Sequence, residues 1–328
     1  MNLDRFSSET AAFIRRSLGL VVLLGALAAA PAAAQRADSS LTRDPDLQQK
    51  LEALAADVDG TVGVYARHLP SGRTAAIRAD TLFPTASMIK VPILIATFDA
   101  IERGRLDDDQ TLTYRDSLLY PGVDLLGHFA DSAEVKLSKV VMLMTTMSDN
   151  TASLWLQDLC GGGATINAWL ADHGYSGTRV NSRTPGRHDD WERYGWGQTT
   201  PRDIARLLVQ IHEGRVVSPA ASEEMYRTLT RTYWDDEAVS QVPPTVQVAS
   251  KQGAVNQSRS EVALVNAPHG PYVFSVITKN QADTTWTYDN AGFQLIRDVS
   301  RVLWSHFEPQ SDWSPARGMR RYWGAEDE

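Results

Sequence analysis

Cysteine is almost missing from this chain. Cys160 is the one cysteine in 328 residues, so no intrachain disulfide can form and the core alone must hold the fold. Cys160 itself reads as a small, buried apolar residue. The seven histidines, spread from His68 to His306, contain no His-x-x-x-His pair and no Cys/His spacing. That argues against zinc, and neither a metal nor a cofactor is implied. Basic runs are lacking too. Arg320-Arg321 stands close to the acidic end Glu326-Asp327-Glu328, and the formal net charge is −8. Without a basic face to neutralise phosphates, a nucleic-acid partner is not expected.

No apolar run reaches the roughly 20 residues that a membrane-spanning helix needs. The nearest follows Arg15-Arg16: an Ala-rich stretch from Leu18 to about Ala30, then Ala32-Ala33-Ala34 before Gln35. It reads as a signal peptide over residues 1–34, cleaved near Ala34, with a buried helix or a membrane anchor as the competing readings. The expected location is periplasmic or secreted, with no stable membrane span after cleavage. The arginine pair leaves twin-arginine export as a minor option. Cleavage would take away three Arg, one Asp and one Glu, leaving a charge of −9.

Hydrophobic residues make up 43% and charged residues 22%, the balance of an ordinary soluble enzyme. Leu47, Leu51, Leu54 and Ala55 recur at helical spacing and predict a first helix at about 45–58, closed by Gly60. Thr61 to His68 and Thr74 to Arg78 read as strands around the turn Pro70-Ser71-Gly72. A long apolar pattern from Ser87 to Gly104 predicts a helix with Ser87 at its N-terminus and Pro92 in its first turns. Helical patterning continues at 137–147, 151–159, 164–173, 201–213 and 219–230. Strand-like runs return at 245–250, 259–266 and 271–279, and a last amphipathic helix covers about 289–307.

Strands at both ends flanking a helical middle predict an α/β (α+β) fold. One antiparallel sheet is flanked by the N- and C-terminal helices, and an all-helical lobe completes it. The expected domain spans 35–308, with a sheet lobe from about 45–86 and 236–308 and a helical lobe at about 87–235. A tail at 309–328 shows no periodicity. A monomer is expected.

Three short motifs carry chemistry. Ser87-Met88-Ile89-Lys90 sets a hydroxyl and an ammonium on one helical face, where burial and a second cation would lower the lysine pKa enough to make it a general base. Alone, this spacing also fits an exposed helical pair. Ser148-Asp149-Asn150, between two helical runs, offers a hydroxyl as proton shuttle and an amide as donor to substrate; it reads equally well as a helix N-cap. Lys251-Gln252-Gly253-Ala254, at the end of the run Val246 to Ser250, supplies the second cation and a Gly that lets substrate approach the backbone. The Ala254 amide could complete an oxyanion hole with that of Ser87. Taken singly, this motif also fits an ordinary strand-end turn.

In this order, and each on a suitable element, the three motifs resemble the Ser-x-x-Lys, Ser-Asp-Asn and Lys-Thr-Gly set of class A β-lactamases and the related penicillin-binding proteins. The resemblance covers about residues 45–308 and implies a β-lactamase/transpeptidase-like fold. It implies Ser87 as the acylated nucleophile, Lys90 as its base, Ser148 as relay to the leaving nitrogen and Lys251 as electrostatic anchor. Asn150 would hold the substrate side-chain amide. Gln252, Gly253 and Ala254 would line the substrate. Arg259, beside Ser258, would bind the substrate carboxylate, against the simpler reading of a solvated strand arginine. The implied partner is a small-molecule β-lactam or a D-Ala-D-Ala-like peptide.

Two positions depart from the family pattern. Aligning Arg179-Val180 with the family's loop puts Thr184, before Pro185, where class A enzymes carry the Glu that activates the deacylating water. The position of that Glu's Asn partner becomes His188. Asp189, Asp190 and Glu192 lie on the same loop, so a displaced carboxylate could still reach the acyl-enzyme if the loop is rearranged. Gln252 stands for the usual Thr or Ser and removes a hydroxyl from the carboxylate's reach. The expectation is a class A β-lactamase-related serine hydrolase with intact acylation and slow deacylation. A D,D-carboxypeptidase, an esterase, or a sensor that is acylated without turnover stands as the alternative.

Overall fold

The computed structural model describes residues 41–315; the expected signal peptide at 1–34 and the end of the tail lie outside them. Three helices begin on the same local rule. Asp44, Thr200 and Ser218 each cap with a side-chain oxygen that accepts a backbone N–H three residues on, and each is followed by proline. Proline at the first helical position needs no N–H partner, and its φ already suits a helix. These caps start α1 (Pro45–Ala56), α7 (Pro201–His212) and α8 (Pro219–Leu229).

The main sheet contains β1 (Thr42–Arg43), β2 (Thr61–His68), β3 (Arg73–Ile77), β9 (Val248–Val255), β10 (Ser258–Val265) and β11 (Tyr272–Lys279). Their spatial order is β1-β3-β2-β11-β10-β9. Every pairing is antiparallel except the two-residue contact of β1 with β3. Along β11 the side chains alternate: Tyr272, Phe274 and Val276 face Leu47, Leu51, Leu295 and Val299 of the terminal helices, while Val273 and Ile277 face Ile204 and Leu208 of α7. This period of two puts a helical layer on each sheet face, with α1 beside α9 (Ala291–Phe307) on one side.

The remaining helices pack around α2 (Lys90–Glu102), which is buried on all sides from Lys90 to Phe98. A helix apolar around its circumference belongs inside. Around it lie α3 (Leu137–Met142), α4 (Asn150–Leu159) and α5 (Gly162–Asp172). Cys160 is buried against this helix, 3.4 Å from Thr97 Oγ1, and burial pushes its thiol up to about 11. Smaller pairings complete the fold: β4 (Phe83–Pro84), β7 (Arg179–Val180) and β8 (Gly197–Thr199) form one sheet, β5 (Thr111–Thr113) and β6 (Glu134–Lys136) another. Among the described residues no helix is long and apolar enough to cross a membrane.

Three expectations are corrected. The helix after Ser87 starts at Lys90; residues Ala86–Ile89 form a 3₁₀ turn, because the chain must leave β4 sharply and Ala86 takes φ 45° to do so. The strand expected to stop at Ser250 runs on to Val255, since β10 pairs with it along its whole length. The 179–201 loop contains a helix, α6 (His188–Tyr194), and carries β7 and β8.

Candidate active site

Two residues of this region sit in the left-handed backbone region that non-glycine side chains rarely take: Ala86, before Ser87, and Ser148 itself, with φ 62°. Ser148 ends a π-helical turn, Leu143–Met147. That turn is braced from outside, where Trp234 Nε1 donates to the Met147 carbonyl at 2.9 Å and the Tyr233 amide to Thr146 at 3.0 Å. Strained and π-helical backbone persists where surrounding contacts over-determine it, and it gathers at functional sites. The strain aims two hydroxyls at one point.

That point is the Lys90 ammonium. Its Nζ lies 3.1 Å from Ser87 Oγ, 3.1 Å from Ser148 Oγ and 2.9 Å from Asn150 Oδ1, and it also donates to the Ser148 carbonyl. Lys251 approaches from the sheet, its Nζ 3.0 Å from the same Ser148 Oγ. Ser148 Oγ thus bridges two lysines that are each 1% exposed. Burial drives both lysine pKa values down. Lys90 falls well below its usual 10.5, from desolvation first and then Lys251. Lys251 falls to about 7 from desolvation, against the pull of Glu261 and Glu237. A neutral Lys90 keeps two N–H groups for Ser148 and Asn150 and turns a lone pair to the Ser87 hydroxyl.

Asp149 answers the ambiguity of its motif. It is the N-cap of α4, accepting from the Ala152 amide at 2.8 Å, and it also holds the amides of Leu125 and Leu126 at 2.7 and 2.8 Å. The cap belongs to Asp149, which leaves Ser148 and Asn150 free to face the lysines. Asn150 Nδ2 points toward Gly122, where a Cβ would come within 2.8 Å of it.

Gly253 lets β9 touch the Ser87 turn. A Cβ there would fall 2.7 Å from the Ser87 amide nitrogen and 2.7 Å from the Thr85 carbonyl oxygen. Ser260, opposite in register, donates to the Gly253 and Thr85 carbonyls at 3.0 and 3.3 Å and ties the two segments together. Ser87, Ser148, Asn150, Gln252, Gly253 and Ala254 all line one cavity of about 1040 Å³. The structure therefore gathers eight of the nine expected site residues at or directly behind this cavity.

Arg259 goes elsewhere. It is fully buried, its Nη1 donates to the Asn256 and Ser258 carbonyls at 3.0 Å each, and its Nη2 to Thr285 at 2.5 Å. Trp286 lies over its guanidinium at 4.4 Å. Its place on β10, opposite Ala254, turns it toward α9.

Thr184 also faces away. Its hydroxyl donates to the Ser182 carbonyl at 2.9 Å and packs on Gly163, and it lines a second cavity of about 620 Å³. Trp196 and Tyr120 line both cavities, with rings edge to face at 5.0 Å, and Lys90 Nζ stands 5.9 Å from the Trp196 ring centre. Of the loop carboxylates, Asp190 pairs with Arg187 at 2.8 Å. Glu192 lines the first cavity but is exposed, its carboxylate 3.3 Å from His188. Sequence reading missed Trp196, Tyr120, Trp234, Glu237 and Glu261, because nothing in the linear order ties them to the three motifs.

The model of the Beta-lactamase enzyme family matches residues 46–307. The chain belongs to that family. A beta-lactamase of Streptomyces fradiae is 28% identical over 308 residues, spanning 88% of this chain and 95% of the relative. The structure of PBP-A is similar with a TM-score of 0.73 and 30% identity, over 82% of this chain and 98% of that one. A mutant of PBP-A is known as an acyl-enzyme complex with penicillin G. A beta-lactamase from Sphaerobacter thermophilus DSM 20745 gives a TM-score of 0.71 at 27% identity, over 80% and 97% of the two chains. As a member of the beta-lactamase family the chain shares the fold of these proteins, a sheet layered between helices with a helical lobe beside it.

Proposed function

We propose that this family member is a serine hydrolase that opens β-lactams through an acyl-enzyme on Ser87, and that it releases the acyl group slowly. The carrying observation is Ser148 Oγ standing 3.1 Å from Lys90 Nζ and 3.0 Å from Lys251 Nζ, with Ser87 Oγ on the other side of Lys90. Ser87 Oγ attacks the lactam carbonyl and gives its proton to neutral Lys90. The amides of Ser87 and Ala254 stabilise the oxyanion. The carbonyl–nitrogen bond then breaks, and the nitrogen takes a proton from Ser148, which is resupplied by the protonated Lys90. An ester on Ser87 remains, and water must hydrolyse it to restore the hydroxyl.

The second half lacks its base. Thr184 has no group that takes a proton from water, and it faces the other cavity. Loss of one positioned base costs about 10²- to 10⁴-fold. The same observation favours a second reading, in which the natural donor is a D-Ala-D-Ala-like peptide and a β-lactam acts as a lasting acylating agent. A similarity to PBP-A supports that reading.

The test is mass spectrometry of the protein with a penicillin and a chromogenic cephalosporin, following adduct mass and product together, with Ser87→Ala as control. A lasting adduct on Ser87 with little product is expected. Rapid product without adduct would mean that a carboxylate such as Glu192 serves the water after all.

A further inference from the structure

Helix α4 starts at the site and leads away from it. Asn150, its first residue, lines the cavity that holds Ser87, while Leu154 lines the second cavity of about 620 Å³. Four residues of helix advance about 6 Å, and positions i and i+4 share a face. Tyr120 is fastened across the same turn, its amide donating to Thr151 Oγ1 at 2.9 Å. The two cavities are therefore neighbours along one helix.

The ground between them is aromatic. Tyr120, Trp191 and Trp196 line both cavities. Trp196 stands between the two walls: its ring centre is 5.9 Å from Lys90 Nζ, and its carbonyl accepts from the amides of Asn181 and Ser182, which line the second cavity, at 2.8 and 3.0 Å. Tyr120 meets it edge to face at 5.0 Å. Trp191, on α6, is 44% exposed, so its ring offers open apolar surface from one cavity to the other.

Inside the second cavity the polar side chains are already spent. Asn181 Oδ1 accepts from Arg187 Nε at 2.7 Å, and its Nδ2 donates to the Asp190 carbonyl at 3.3 Å. Ser182 Oγ donates to Gln157 Oε1 at 3.0 Å, and Thr184 Oγ1 to the Ser182 carbonyl at 2.9 Å. Arg183 and His188 face the carboxylates of Asp158 and Glu192 at 3.8 and 3.3 Å. The rest of the lining is Leu154, Pro185, Gly186 and the three shared rings. A polar ligand would lose its water for few free partners there, whereas an apolar one gains from leaving water.

We propose that the second cavity is a subsite for the far end of the substrate's acyl side chain, and that the preferred acyl donors carry an aryl group there, reached along Trp191. This rests on the reading in which Ser87 is acylated and Asn150 holds the side-chain amide, since Leu154 lies one helical turn beyond that amide. A volume of about 620 Å³ is within the span of small-ligand cavities and has room for such a group. Trp191 is then a specificity residue, which favours long apolar side chains over short ones.

Binding measured without acylation tests the subsite apart from the chemistry. Benzylpenicillin and its 4-biphenylacetyl analogue, which adds one outer ring, are titrated into the Ser87→Ala protein and followed by NMR. The longer side chain is expected to bind at least about tenfold more tightly, the gain from burying one ring. Adding Trp191→Ala, an exposed position whose change spares the core, should bring that ratio below about threefold. A ratio near one in the Ser87→Ala protein overturns the inference, as does a ratio that Trp191→Ala leaves unmoved. Position is read with a benzophenone as the outer group. Irradiation should label Leu154, Pro185 or Gly186, and labelling confined to residues of the first cavity alone, such as Trp286 and Phe293, overturns the inference too. Adduct formation on Ser87 in the unaltered protein is scored separately; its failure would sink the acyl-enzyme reading, while a ratio that depends on Trp191 would still stand for the subsite.

Discussion

Gly253 and Ser87 meet backbone to backbone, so closely that a single methyl on Gly253 would lie 2.7 Å from the Ser87 amide nitrogen. The distance explains why a glycine stands in the third motif: the strand must reach the turn that carries the hydroxyl. Gly253→Ala is expected to push β9 away, destabilising the protein by about 1–3 kcal/mol as overpacking does. It should slow Ser87 acylation by about 10²-fold or more, the scale of a lost oxyanion donor. Denaturant melts and adduct kinetics on the same preparation check both. Unaltered acylation would show that the oxyanion is held elsewhere.

Lys90→Met removes the proposed base and keeps the volume. Acylation should fall by about 10²- to 10⁴-fold, the usual span for a positioned base, while the circular dichroism spectrum stays native. Wild-type acylation rates in the Met variant would remove Lys90 from the proton path.

Thr184→Glu distinguishes alignment from geometry. Linear alignment places the missing base here, whereas Thr184 packs on Gly163 and lines the second cavity. Deacylation in Thr184→Glu should therefore stay far below the 10²- to 10⁴-fold gain that a correctly placed base supplies, within about threefold of wild type. Pre-steady-state decay of the adduct mass measures it, and a gain of the larger size would mean that the loop places residue 184 toward Ser87.

Two buried groups bend stability with pH in opposite directions. Lys251 has its pKa lowered from 10.5 to about 7, so between those values the unfolded chain holds a proton that the folded one has lost, and stability rises with pH. Glu261 is raised from 4.5 to about 7, first by burial, so between pH 4.5 and 7 the folded chain holds the extra proton and stability falls as pH rises. The pair should produce a shallow minimum near pH 7, with limbs on the order of 1 kcal/mol per pH unit. Urea melts from pH 5 to 10 test this. Lys90, lowered by burial, adds to the basic limb and Glu237, raised by burial, to the acid one, so Glu261→Gln and Lys251→Met should each make a limb shallower without removing it; limbs unchanged by either substitution would assign them to other groups.

Asp149→Ala strips partners from the amides of Leu125, Leu126 and Ala152. Three orphaned donors at about 1 kcal/mol or more each should cost on the order of 3 kcal/mol. The loop through Val123 should loosen too, since the Asn150 amide donates to the Val123 carbonyl. Hydrogen exchange at Leu125 and Leu126 is the direct readout, and protection unchanged from wild type would contradict it.

Much of the molecule was written locally. The pairs Asp44-Pro45, Thr200-Pro201 and Ser218-Pro219 each start a helix, because cap and proline act within one turn. Strand-like runs marked β2, β10 and β11, and the order of Ser87, Ser148 and Lys251 named the family before any contact was known. What lay beyond the sequence is decided by contacts across long separations. Ser148 meets Lys90 over 58 residues and Lys251 over 103. Strand register alone sets Glu261 against Gln252 and turns Arg259 toward α9, and loop packing alone swings Thr184 onto Gly163 and Trp196 beside Lys90. A residue's type and neighbours in the chain set what its side chain can donate or accept; only the packed structure decides which of those groups are already spent and which still face the cavity.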